Sequence, residues 1–115
     1  MHELGIANSV LEAVRIEAAR HPGAQPVKVG VRVGELAGVN PDALTFSFEA
    51  ITRGTEWERL ALEVETCPRR HRCPACGADF RVADYDFTCP HCGAPHTEYA
   101  GGDELELAYL ELEEP

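Results

Sequence analysis

Positive charge is scarce in this chain. Its 115 residues carry 10 Lys and Arg against 20 Asp and Glu, giving a formal net charge of −10. A surface that acidic repels phosphate, which argues against nucleic acid as a general partner. Long apolar runs are also missing: none approaches the roughly 20 residues of a membrane span, so no membrane partner is expected. The amino terminus has no basic start followed by an apolar stretch, and Glu3 stands near its beginning, so an ordinary secretory leader is not expected. The expected location is therefore cytoplasmic. Low-complexity tracts are absent, and the one internal repetition is a pair of short cysteine motifs. What is present is a 44% hydrophobic share, enough for a core and too much for a disordered acidic chain. The length suits one compact domain, alone or with a small metal-stapled appendage.

The five cysteines are many for this length, odd in number, and confined to Cys67, Cys73, Cys76, Cys89 and Cys92. In a reducing compartment such clustering points to metal or redox chemistry rather than disulfides. Charge is divided as unevenly. Across residues 67–100, Arg69, Arg70, Arg72 and Arg81 balance Asp79, Asp84, Asp86 and Glu98, so the net acidity sits on the rest of the chain. Two units with different surfaces are implied: residues 1–66 with 101–115, and residues 67–100.

Hydrophobic periodicity gives the first unit its elements. Leu4, Ala7, Leu11, Val14 and Ala18 recur at helical steps over residues 4–20, until His21-Pro22-Gly23 stops the helix. Val27, Val29, Val31 and Val33 alternate with Lys28, Gly30, Arg32 and Gly34 as a half-buried strand. Asn40 can cap a second helix with Pro41 at its first position and Leu44, Phe48 and Ile51 on its buried face. Leu60, Leu62 and Val64 mark another strand. After a hinge at Gly101-Gly102, Leu105, Leu107 and Tyr109 begin a last one, whose apolar phase switches to Leu110 and Leu112, predicting a bulge or two-sided contact near Ala108. These elements predict an α+β fold: two helices on one face of a three-stranded sheet, with the zinc-ribbon-like cysteine unit inserted between the second and third strands.

Cys73-Pro-Ala-Cys76-Gly and Cys89-Pro-His-Cys92-Gly are two copies of one knuckle, twelve residues apart. Two thiolates converge from each turn, while Gly77 and Gly93 let the backbone curl beneath them. Four sulfurs complete a tetrahedral shell that suits zinc. A closed shell leaves no position for an activated water, so the role is structural, and so small a unit depends on its ion to fold. Iron satisfies the same donors. A thioredoxin-like role for Cys89-Pro-His-Cys92 would need a strand–helix setting that is not evident. Cys67 has no place in a tetrahedral shell and is expected to be a buried or idle thiol at the unit's entrance. His71, His91 and His96 are expected at the surface rather than as ligands, and the Arg69–Arg72 run is expected to be a solvated flank.

At the amino terminus, Glu3 favours a helix start through the dipole and His2 would ordinarily be a frayed end. Yet a free terminal amine, nearby amide nitrogens and the His2 imidazole can form fused chelate rings whose in-plane nitrogens suit Ni(II) or Cu(II). Such binding displaces amide protons and should weaken in acid.

The chain closely resembles the HypA family of hydrogenase-maturation nickel metallochaperones (HypA/HybF) along nearly its whole length. The resemblance rests on MHELGI at the start, VRVGELAGV at 31–39, FSFEAITRGT at 46–55, the CPACG and CPHCG knuckles, and GGDELELAYLEL near the end. It implies a non-enzymatic carrier with a nickel-binding domain made from both chain ends and an inserted zinc domain. His2 would be the essential nickel ligand, with backbone nitrogen around Met1, His2 and Glu3, and Glu3 would also influence nickel binding and partner docking. Cys73, Cys76, Cys89 and Cys92 would hold structural Zn(II). Implied partners are a HypB-type GTPase, the large subunit of [NiFe] hydrogenase and, in some members, the urease maturation system. Some relatives offer a histidine near the place of His96 that reaches nickel when the domains close; Cys67 lies outside the recognised motif. The alternative reading is a zinc-ribbon binding or adaptor module without a nickel role, and a thiol oxidoreductase or zinc hydrolase is the enzymatic one.

Overall fold

A computed structural model describes residues 2–114. In chain order it comprises α1 (His2–Ala19), β1 (Gln25–Gly34), α2 (Pro41–Thr52), β2 (Ala61–Cys67), β3 (Arg70–Arg72), β4 (Asp79–Arg81), β5 (Glu98–Gly101) and β6 (Leu105–Glu113). The strands form two sheets, β2-β1-β6 and β4-β3-β5. The expected architecture of two helices, a three-stranded sheet and a cysteine insert between its last two strands is what forms.

β1 is the axis of the first sheet, parallel to β2 and antiparallel to β6. Its inward valines, Val29, Val31 and Val33, pack with Leu44, Phe48 and Leu60 and with Ala7, Val10, Leu11 and Val14 of α1. Val10 joins the buried stripe of α1 while Leu4 is largely exposed, so the stripe is rotated from the one periodicity suggested. Asn40 caps α2 as expected: its side-chain oxygen accepts the Ala43 amide at 3.0 Å, with Pro41 leading the helix.

Two bulges adjust β1 against β6. One puts Val27 out of register, and the other lies between the pairs Gly30–Tyr109 and Val31–Leu107, leaving Ala108 as the extra residue. The Ala108 bulge explains the phase switch: it returns Leu110 to the helix side, opposite Val29, after Tyr109 has turned to the outer face. There Tyr109 lies flat across Gly30, where a Cβ would fall 2.1 Å from the ring. Its hydroxyl donates to Glu63 of β2, so one side chain spans all three strands. Arg32 bridges the same strands one row further on, to Glu65 at 3.0 Å and Glu106 at 3.3 Å.

The second sheet consists of strands of three or four residues, too short to show a period in the sequence. At the tip beyond β4, Asp84 and Tyr85 both have positive φ, 54° and 59°. They form the centre of a tight turn closed by the Asp86 amide on the Ala83 carbonyl at 3.0 Å.

Gly101-Gly102 differs from the expected hinge. Both glycines are buried, Gly101 ends β5, and Gly102 has φ +131° with its missing Cβ only 2.7 Å from the Arg69 Cα. Gly102 is a packed backbone crossing in which a side chain has no room, whereas a Cβ at Gly101 would meet only the Glu104 carboxylate at 3.1 Å.

Hydrogen bonding to Glu63, then desolvation, pushes the Tyr109 phenol up to about 12 from its ordinary 10. The folded value lies above the unfolded one, so this contribution is complete below pH 10 and vanishes as pH rises through about 12. Ultraviolet titration should show one such late tyrosine, returning toward its ordinary range in Glu63→Gln. Gly30→Ala should displace the ring and produce the same return, at a cost of about 1–2 kcal/mol in denaturant unfolding.

Candidate metal centres

The two knuckles fold alike. In the first, the Cys73 amide donates to the Ala78 carbonyl at 2.9 Å and the Gly77 amide to the Cys73 carbonyl at 2.8 Å. In the second, Cys89 donates to Ala94 and Gly93 to Cys89, both at 2.9 Å. Gly77 and Gly93 take φ +78° and +79° with open space where a Cβ would stand, so backbone conformation rather than crowding requires glycine.

The knuckles face each other and bring four sulfurs together. Cys73 and Cys92 approach to 3.5 Å, Cys76 and Cys89 to 3.7 Å, and all four ligand atoms lie within 4.8 Å of one another. A tetrahedral ion with metal–sulfur bonds of ~2.3 Å requires sulfur–sulfur edges of about 3.8 Å, so the donor set fits one such ion. Electrostatics favour the same occupant. Amides of Cys92 and His91 draw the Cys89 thiol down to about 6. At Cys92 the Ala94 amide also lowers the value, but hydrogen bonding with Cys73, desolvation and the other two cysteines outweigh it and push the thiol up to about 12. Thiolates this close oppose one another's ionisation, and a divalent cation removes that opposition.

A small apolar cluster supports the cage: buried Cys73 and Cys89 pack with Phe80 and Val82, flanked by Ala78, Phe87 and Ala94. His71 belongs to this interior rather than the expected surface, being only 3% exposed. Its ring stacks on Phe87 with centroids 4.8 Å apart. Arg69 Nε donates to His71 Nε2 at 3.2 Å, so Nε2 is the bare nitrogen and Nδ1 donates to Thr97 Oγ1 at 2.9 Å. Burial, then the Arg69 charge, lowers the His71 pKa. Arg69 departs from the expected solvated flank as well: its guanidinium lies 4.5 Å over the Phe87 ring. Arg70 and Arg72 are exposed, as are His91 and His96. Nothing in the spacing of the sequence marks His71 and Arg69, because their partners come from Phe87, Thr97 and Tyr99 further along.

Cys67 ends β2, half-buried and outside the four-sulfur group. Burial, then Glu104 and Glu65, raises its pKa, which disfavours a reactive thiolate.

The amino-terminal residues are fastened rather than frayed. Met1 lies outside the described residues. His2 begins α1, and its Nε2 stands 3.1 Å from the Gly38 carbonyl and 3.3 Å from Glu3 Oε2. Glu3 Oε2 in turn accepts the Asn40 amide at 3.2 Å. That hydrogen bond, then Glu3's own amide, holds the Glu3 carboxyl below the usual carboxylate range against partial desolvation. Both neighbours of His2 Nε2 are acceptors, so Nε2 carries the proton and Nδ1 presents a lone pair. The His2 side chain remains 60% exposed. Among the described residues, no hydrogen bond or ion pair links His96 to α1.

Fold and sites together define a small α+β metal-binding protein with a four-sulfur cage on an inserted unit. Residues 1–112 match the family described as hydrogenase/urease nickel incorporation, metallochaperone, HypA. The chain is 41% identical over 113 residues to a hydrogenase maturation factor HypA of Geobacter metallireducens, covering 98% of this chain and 100% of that one. It is 40% identical over 115 residues to a namesake from a Roseiflexus species, covering 99% and 94%. The solution structure of the Ni metallochaperone HypA from Helicobacter pylori superposes with TM-score 0.64 at 20% identity over all of both chains. A second solution structure of a HypA protein gives TM-score 0.69 at 20% identity, covering 97% of this chain and 96% of that one. At that identity the structures speak for the fold. The chain belongs to the HypA family of metallochaperones, which are maturation factors rather than enzymes.

Replacing Cys89 with Ser should abolish binding of about one ion per chain, measured by metal analysis of purified protein. Amide spectra should then lose dispersion around His71, Phe80 and Val82 while the β1 signals persist, since the two buried clusters share no residue.

Proposed function

We propose that this protein captures Ni(II) at its amino terminus and delivers it for maturation of [NiFe] hydrogenase, while structural Zn(II) sits on Cys73, Cys76, Cys89 and Cys92. The nickel-binding unit comprises residues 1–66 and 101–115, and the zinc-binding unit residues 67–100. The observation that carries the nickel reading is the setting of His2 within a chain matched to a nickel-incorporation family over residues 1–112.

His2 Nδ1 and the His2 amide nitrogen are related by four ring and backbone bonds, so one metal bound to both closes a six-membered chelate. The free amine of Met1 and the amides near His2 and Glu3 supply further nitrogens in the same plane, a donor set that suits Ni(II). Glu3 and the Gly38 carbonyl act one shell out. By accepting from Nε2 they fix the tautomer that leaves Nδ1 for the metal, as carboxylate and carbonyl partners do for metal-bound imidazoles generally. The two ions are thus sorted by chemistry: in-plane nitrogen for nickel, tetrahedral sulfur for zinc.

Delivery is a shift of binding equilibrium with no bond chemistry in the client. The partners in this reading are a HypB-type GTPase and the hydrogenase large subunit, with urease maturation as a second destination and the cytoplasm as the setting.

Nickel titration of zinc-loaded protein with a native, untagged amino terminus tests this. We expect about one Ni(II) per chain with a planar-nitrogen absorption band that His2→Ala abolishes. Glu3→Gln should weaken binding by about tenfold, because the carboxylate that orients His2 is lost while the ligand remains. Binding should fall steeply in acid, where imidazole and amide protons compete with the metal. Equal binding by wild type and His2→Ala, or none by either, would overturn the nickel site and leave a zinc-stabilised adaptor.

A further inference from the structure

The edge of the first sheet carries a surface unrelated to either metal centre. Among the described residues, β6 is hydrogen-bonded on one side only, to β1, and runs for nine residues along the outside of the sheet. Its helix-side residues Leu105 and Leu107 remain 48% and 42% exposed, because α1 and α2 cover β1 and β2 more fully. Between α1 and β6 runs an apolar groove in two connected parts. One, of about 250 Å³, is lined chiefly by Ile6, Val10, Val31, Leu105 and Leu107. The other, of about 440 Å³, continues past Ala13 and Leu107 to Leu110 and Leu112.

The outer face of the same strand is acidic. Glu106, Glu111 and Glu113 alternate with the leucines, and only Glu106 has a cation, the shared Arg32, among the described residues. We propose that this edge is a docking site for an extended segment of a partner protein that alternates apolar with basic residues. Strand pairing satisfies the free backbone groups of β6, one side chain row fills the groove beside α1, and the opposite row meets Glu111 and Glu113. Charge selects this occupant over a second copy of the chain. Two β6 strands paired edge to edge would set glutamates against glutamates on the outer face, where among the described residues only Glu106 has an ion-pair partner.

The test uses full-length, zinc-loaded protein and two synthetic peptides of about ten residues, one alternating valine with arginine and the other valine with glutamate. Amide chemical shifts should change for the arginine peptide along residues 105–113 and along the α1 face that includes Ile6, Val10 and Ala13. The glutamate peptide should bind at least about tenfold more weakly, and added salt should weaken the arginine peptide. Leu107→Glu should reduce its affinity by about tenfold or more. Glu111→Gln should reduce it by about threefold, and this variant lies on the solvent side, where loss of folding is not at issue. Shifts scattered over the acidic surface, indifference to Leu107→Glu and Glu111→Gln, or no binding would overturn the proposal. A sedimenting dimer whose β6 amides are protected would overturn it too, assigning the edge to a second copy.

Discussion

Crowding at the end of β1 governs how the rest of the molecule is put together. β2 and β6 flank β1 on opposite sides, so a unit inserted between them must leave and return across the strand that separates its own stems. That crossing occurs at Gly34. Its amide donates to Glu104 at 2.7 Å, and a Cβ there would fall 2.2 Å from the Gly102 carbonyl. Glu35 and Leu36 continue the contact, their amides donating to Cys67 and Gly102, while the Glu35 carboxylate accepts the Arg69 amide at 2.9 Å. Backbone lies directly on backbone, which only glycine at positions 34 and 102 allows. The stems of the insert are therefore fixed to the loop between β1 and α2, and the two sheets meet through main-chain hydrogen bonds.

The two sheets draw on different sources of stability. The first buries a conventional core of valine, leucine and phenylalanine between helices and strands. The second has Phe80 and Val82 and little else that is apolar and fully buried, apart from Cys73 and Cys89 themselves. Strands of three residues beside so small a core cannot hold together by burial, so the cage must contribute the binding free energy of its ion to folding. His71 and Arg69 add a polar scaffold at the base, in which Arg69 Nε donates to His71, His71 donates to Thr97, and the guanidinium rests on Phe87.

What could be read in the sequence follows from which interactions are local. The alternating valines of β1, the Asn40-Pro41 start of α2 and the glycine-ended knuckles announce themselves because each depends on residues a few positions apart. Even the bulge at Ala108 is legible, since one extra residue inverts the apolar phase of β6. The interior of the insert is not legible. His71 is buried by Phe87 and Thr97, and its strand is too short to carry a period. Glycines 101 and 102 suggest freedom by composition, yet their surroundings leave room for no side chain at Gly102. A glycine pair reports that a Cβ is excluded, and both a hinge and a tight crossing exclude one. Likewise His2 reads as a loose end until Gly38 and Asn40 are brought beside it from the far end of β1.

That placement joins the amino terminus to the crowded crossing. The segment 34–40 touches the insert through Glu35 and Leu36 and the amino terminus through Gly38 and Asn40. Gly38 turns there with φ +72°, a conformation an L side chain would strain, and the turn aims its carbonyl at His2 Nε2. In the proposed nickel reading, that carbonyl and Glu3 accept the Nε2–H, so a metal arriving at Nδ1 would meet an imidazole already oriented and in the right tautomer, and capture would not need to break the loop's hold. On that reading the segment would stay bound to the insert and to His2 at once with nickel in place. A partner that displaced Gly38 or Asn40 would loosen the imidazole without touching the metal. On the same reading, contact with this loop would offer a route to nickel release that leaves the four-cysteine cage intact.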